Sequence, residues 1–117
     1  MSNLIDMNCV PVRSGDAQAT AEESAQYMQE VPDWEIIDVD GVNHLQRVYK
    51  FQNFVDALSF TNKVGALAEQ QDHHPALLTE WGKVTVTWWT HVIKGLHTND
   101  FVSAAKSDQL YDGIVSN

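Results

Sequence analysis

A chain of 117 residues, 44% hydrophobic and 20% charged, has the size and make-up of one folded domain rather than of a disordered or fibrous chain. Its net charge is −9, and its seven Lys and Arg residues are scattered singly from Arg13 to Lys106. That disfavours direct nucleic-acid binding and attachment to anionic membranes, both of which need clustered cations.

In chain order, residues 1–19 show no helical or strand period and carry Pro11 and Gly15, so they read as an irregular N-terminal arm ahead of a domain spanning 20–117. Thr20-Ala21-Glu22-Glu23 matches a capping box. It predicts a first helix to about Glu30 with Ala21, Ala25 and Met28 inward, and Pro32 follows as a stop. Trp34 to Val39 and His44 to Lys50 read as strands joined through an Asp40-Gly41 hairpin turn. Asn53 to about Gln71 is the strongest helical pattern. Its apolar arc includes Phe54, Ala57, Leu58, Phe60, Val64 and Leu67, wider than one sheet contact requires, which predicts packing against a second subunit. Ala76 to Trp81 and Val84 to His91 form a second hairpin across Gly82-Lys83. Strand alternation puts Val84, Val86, Trp88 and Thr90 on one face and Thr85, Thr87, Trp89 and His91 on the other. Thr98 to about Ser116 completes the chain as a helix with Phe101, Ala104, Ala105 and Leu110 inward.

The order α-β-β-α-β-β-α predicts an α+β fold, a four-stranded antiparallel sheet with three helices on one face. No repeat and no second domain is seen. The lone Cys9 excludes an internal disulfide and a cysteine-rich zinc site, and it fits a reducing compartment. Residues Met1 to Val12 lack a secretory pattern, and no apolar run nears the roughly 20 residues of a membrane helix. The expected location is the cytoplasm. A domain this small buries only roughly 60 to 70% of its unfolded surface, so a site built at a subunit contact is expected.

The chemistry concentrates between Glu69 and Asp100. A tight turn near Gly82 sets the start of the third strand beside the end of the fourth, which makes His73 and His74 neighbours of His91. Imidazole exchanges protons near neutral pH, and each positioned acid or base contributes about 10²- to 10⁴-fold. Two or three imidazoles therefore suffice to remove water across a C–O bond. Asp100 is placed to fix the tautomer of one of them. No metal is expected, because adjacent histidines on extended backbone point apart and no helical His pair stands at i, i+4. His44 and His97 are read as structural. Trp34, Trp81 and Trp88 are read as core, and Trp89, sharing a face with His91, as a platform for a flat heterocycle or simple packing.

Glu69, three positions, His73-His74-Pro75, five positions, Trp81, nine positions, His91, eight positions, Asp100: this spacing resembles the pterin-4a-carbinolamine dehydratase family, also known as dimerisation cofactors of a homeodomain transcription factor. The stretch from Arg47 to Phe54 also resembles the family's second strand and helix start, and the likeness runs from about Thr20 to the C-terminus. The resemblance implies conversion of 4a-hydroxytetrahydropterin to quinonoid dihydropterin and water, in the recycling of the pterin used by aromatic amino-acid hydroxylases. It implies His73, His74 and His91 as catalytic and Glu69, Asp72, Pro75, Trp89, Thr90 and Asp100 as substrate-contacting, with Asp100 supporting His91. It implies no cofactor and assembly as a homodimer or homotetramer. His74 or His91 would protonate the departing hydroxyl, and a second histidine or a carboxylate would take the ring-nitrogen proton. The alternatives are a non-catalytic dimerisation partner of a transcription factor and a pterin-related role in molybdenum-cofactor metabolism.

Overall fold

Both predicted hairpins close on residues in the left-handed region. Asp40 (φ 53°) and Gly41 (φ 83°) form the first turn, and Gly82 (φ 78°) carries the second. In the first turn positive φ at both central positions matches the right-handed twist of the flanking strands, while in the second, Trp81-Gly82, only the glycine takes it. In the computed structural model, which describes residues 3–115, these turns join β1 (Glu35–Val39) to β2 (Val42–Lys50) and β3 (Ala76–Glu80) to β4 (Lys83–Trp88). The hairpins lie side by side through an antiparallel β2–β4 pairing, giving the sheet order β1-β2-β4-β3.

Three helices complete the α-β-β-α-β-β-α order: α1 (Ala21–Met28), α2 (Phe54–Gln71) and α3 (Thr98–Val115). The last residue of the predicted final helix, Ser116, and the start of the predicted arm at Met1 lie outside the described residues. Pairing of Tyr49 with Val84 and of Leu45 with Trp88 gathers the buried strand residues on the face that α2 and α3 cover. There Tyr49 meets Phe60 and Tyr111 at ring separations of 4.5 and 4.8 Å. The buried tyrosine needs a hydrogen-bond partner. Asp108 of α3 supplies it, since its Oδ1 accepts from the Tyr49 hydroxyl (2.6 Å), Arg47 (2.7 Å) and Trp34 Nε1 (2.9 Å).

Several expected details shift. The α1 capping box is formed, with Thr20 and Glu23 bonding each other's backbone N–H at 3.0 and 2.8 Å. The inward residues of α1, however, are Tyr27 and Met28, while Ala21 and Ala25 are exposed. Tyr27 governs the docking: its ring packs on Phe101 at 5.1 Å and its hydroxyl meets Thr98. Trp34 and Trp88 are core residues, but Trp81 is 72% exposed, because it sits at the turn beyond the last β3–β4 pair, Glu80 with Lys83. The α2 arc divides: Ala57, Phe60 and Val64 are buried, whereas Phe54, Val55 and Leu58 face outward. Before α1, residues 3–19 contain one 3-10 turn, Leu4–Asp6, and otherwise extended or irregular chain.

Candidate active site

The C-terminus of α2 aims the histidine pair. Asp72 adopts the left-handed conformation (φ 52°), and the amides of Asp72 and His73 both donate to Ala68 O, a common helix ending. Pro75 then holds the chain extended into β3. On the neighbouring strand, β4 stops at Trp88 rather than continuing to His91. Thr90 and Gly95 instead pair across a four-residue loop in which His91–Ile93 form a 3-10 turn and Lys94 is left-handed. The loop turns His91 back over the strand end.

The result is an open cavity of about 330 Å³. His73, His74, His91, Asp72 and Thr90 line one part of it, and Val10, Pro11, Val12, Val92 and Asn99 line the rest. The three imidazoles expected to converge share this cavity. Glu69, Pro75, Trp89 and Asp100 do not line it.

Asp100 lies beneath the cavity, fully buried in the first turn of α3. Its Oδ1 faces His73 Nε2 at 2.6 Å, while Oδ2 accepts from the Thr90 hydroxyl (2.8 Å) and the His97 amide (2.9 Å). Asp100 thus supports His73 rather than His91, the partner implied by the resemblance. A carboxylate only accepts, so Nε2 of His73 is the donor and Nδ1 is left as the acceptor. The ring is further fixed by stacking on Trp88, 5.4 Å away and 15° from parallel. His74 reaches Glu69 through Nε2, and both side chains are exposed, so that pair orients the ring weakly. His91 is exposed and packs on Trp89 at 4.5 Å. Trp89 stacks in turn on His44 at 4.0 Å.

His44 and His97 have structural partners. His44 Nδ1 meets Val42 O. His97 Nδ1 accepts the Asn99 amide while the His97 amide donates to Asp100, an arrangement that caps α3 as a capping box does. Among the described residues, no group of three or more His, Cys, Asp or Glu side chains is arranged to hold a metal ion, and no helix is long and apolar enough to cross a membrane.

The residues that sequence reasoning missed are Val10, Pro11, Val12, Val92 and Asn99. A short signal in the arm was overlooked: apolar Ile5, Met7 and Cys9 alternate with polar Asp6 and Asn8, and the structure partly buries the former while exposing the latter, the period of an extended strip lying on a surface.

Fold and cavity together define an α+β domain with an open, histidine-lined cavity at the end of a hairpin. Residues 17–110 match the profile of the family described as Pterin 4 alpha carbinolamine dehydratase. A Nitrosococcus oceani protein bearing that dehydratase name is 57% identical over 94% of this chain and 97% of its own length. One from Syntrophotalea carbinolica is 54% identical over 96% of this chain and its full length. The crystal structure of a transcriptional coactivator/pterin dehydratase from Brucella melitensis superposes with a TM-score of 0.73 at 28% identity, covering 81% of this chain and 99% of that one. The chain belongs to the pterin-4a-carbinolamine dehydratase family. The family match begins after residue 16, so the Val10–Val12 wall of the cavity lies outside it.

Proposed function

We propose that this chain dehydrates 4a-hydroxytetrahydropterin of the tetrahydrobiopterin type, releasing quinonoid dihydropterin and water, with His73, His74 and His91 as the acid/base groups. The observation that carries the reading is the single cavity shared by the three imidazoles. The C4a–O bond breaks as an imidazolium, His74 or His91, delivers a proton to the departing hydroxyl, which leaves as water. The N5 proton passes to a base, and the N5–H electron pair forms the new C=N bond. His73 suits the base role, because Asp100 occupies its Nε2 and leaves Nδ1 to accept. Thr90 and Asp72 line the same cavity as polar contacts for the pterin edge, and Glu69 stands behind them, paired with His74. Pro75 and Trp89 act indirectly, through the backbone that carries His74 and through packing on His91.

The physiological setting we infer is pterin recycling for aromatic amino-acid hydroxylation in the cytoplasm, by a homo-oligomer. The outward Phe54, Val55 and Leu58 of α2, with Val55 74% exposed, support assembly, since a contiguous apolar strip on one helix marks an interaction surface. The test of activity is turnover: purified protein is mixed with freshly generated 4a-hydroxytetrahydrobiopterin, and its decay is followed by ultraviolet absorbance. Acceleration that is lost in H73A, H74A and H91A supports the assignment, and decay at the buffer rate refutes it.

A further inference from the structure

The arm ahead of α1 is tied down by specific bonds at both ends and in the middle. Leu4 is buried, its amide donates to Glu30, and Lys106 donates to Ile5 O. At the other end the Ala19 amide donates to Leu96 O and the Gln18 side chain to Ile93 O. Between these anchors the chain crosses the cavity mouth. Asn99, buried in the first turn of α3, clasps Val10 from both sides: its Oδ1 accepts the Val10 amide at 3.0 Å, and its Nδ2 donates to Val10 O at 2.7 Å. Gln71, the last residue of α2, accepts the Cys9 amide at 2.7 Å. Two long-range side chains with no other assigned role thus fix a four-residue strip against the site.

The clasp decides what the strip offers a ligand. Both backbone groups of Val10 are occupied by Asn99, and Pro11 has no N–H. The side chains of Val10, Pro11 and Val12 are thus the main surface this wall offers a cavity whose other side is histidine, Asp72 and Thr90, with the Pro11 carbonyl and the Val12 backbone as its polar groups. A pterin has one edge of amino and amide groups and one edge of ring carbons bearing the substituent. An unpaired amide edge against an apolar wall would lose its water without replacement, which is costly. The carbon edge would not.

We propose that Val10–Val12 is a specificity wall of the substrate cavity, held by Asn99 and, through Cys9, by Gln71 as positioning residues, which packs on the ring edge carrying the carbon-6 substituent and selects a short substituent over a bulky one. This rests on the dehydratase reading and adds to it which residues choose among pterins. The cavity, at about 330 Å³, is near the small end of the range for ligand sites, roughly 300 to 1,000 Å³.

The test compares the intact chain with V10A/V12A, which trims the wall but keeps the Leu4 anchor and the backbone bonds to Asn99, and with N99A, which releases the clasp. Each is assayed with two 4a-hydroxytetrahydropterins, one bearing methyl and one bearing phenyl at ring carbon 6. Removing methyl groups from an apolar pocket shifts discrimination by about ten-fold or more. The intact chain is expected to favour the methyl compound in kcat/KM, and V10A/V12A to lose roughly ten-fold of that preference, with the change falling mainly on KM. N99A is expected to shift the preference in the same direction. An unchanged preference in V10A/V12A overturns the specificity wall while leaving the dehydratase reading standing. Absence of turnover by the intact chain with either compound overturns both.

Discussion

Replacing Asp100 by asparagine perturbs the site without removing an atom's worth of volume. In the native protein one carboxylate oxygen faces His73 Nε2, and the other accepts two donors, from Thr90 and the His97 amide. An asparagine has one acceptor end and one donor end. The side with two donors requires the oxygen, so the new NH₂ group faces His73 Nε2 at a spacing, 2.6 Å, that two N–H groups do not tolerate. The ring must then move its proton to Nδ1, the nitrogen that serves as the base in the proposed mechanism. A hydrogen bond to a charged group is worth about 1.5–3 kcal/mol and a neutral one about 1 kcal/mol, so D100N should destabilise the fold by about 1–2 kcal/mol. Domains of this kind hold roughly 5–15 kcal/mol, and the variant should stay folded. Catalysis should suffer far more: a misdirected base forfeits most of its roughly 10²- to 10⁴-fold contribution, and kcat is expected to fall by about 10²- to 10³-fold. Stopped-flow decay of the carbinolamine gives kcat, urea denaturation gives the stability, and long-range ¹H–¹⁵N NMR of the imidazole gives the tautomer. Retention of kcat within about three-fold, with the His73 proton moved to Nδ1, would refute the role given to His73.

Further outcomes follow from the core and the caps. Phe60 is fully buried among Tyr49, Phe51 and Tyr111, and F60A should cost about 3–5 kcal/mol in urea denaturation; a cost below about 1 kcal/mol would contradict that packing. Thr20 caps α1 through the Glu23 amide, so T20A should lower stability by about 1 kcal/mol with dehydration rates unaffected. Burial, reinforced by the charge of Asp108, pushes the Tyr49 phenol far above the usual tyrosine range. The unfolded chain ionises this group near pH 10 while the folded one keeps its proton. The stability it contributes is thus complete below about pH 10 and is lost as pH rises beyond. Denaturation midpoints should fall on the alkaline side, and Y49F should flatten that fall.

How much of this was legible in the sequence depended on how local each determinant is. The Asp40-Gly41 and Gly82 turns, the Thr20 cap and the α2 period are written in adjacent residues, and element order followed from them. The approach of His73 and His74 to His91 was also readable, because a two-residue turn fixes the register of a hairpin, and the pairing of Ala76 with Thr87 carries the histidines to the strand end. The partner of Asp100 was not. The Thr90–Gly95 bridge turns His91 out of the strand, and Asp100 beneath it meets His73 instead. The exposure of Trp81 escaped for the opposite reason: an aromatic in a strand pattern reads as core until the turn is found to begin one residue earlier. The arm escaped because its ties, such as Asn99 to Val10, span nearly the whole chain, and only the apolar-polar alternation of Ile5-Asp6-Met7-Asn8-Cys9 hinted at a docked strip.

The most direct measurement is a crystal structure of the intact chain with a bound dihydropterin. Its ring should lie in the cavity with the 4a carbon within contact of His73, His74 and His91, and its substituent edge against Val10 and Val12. A ring bound elsewhere on the molecule, or seated with no imidazole near that carbon, would contradict the site proposed for this chain.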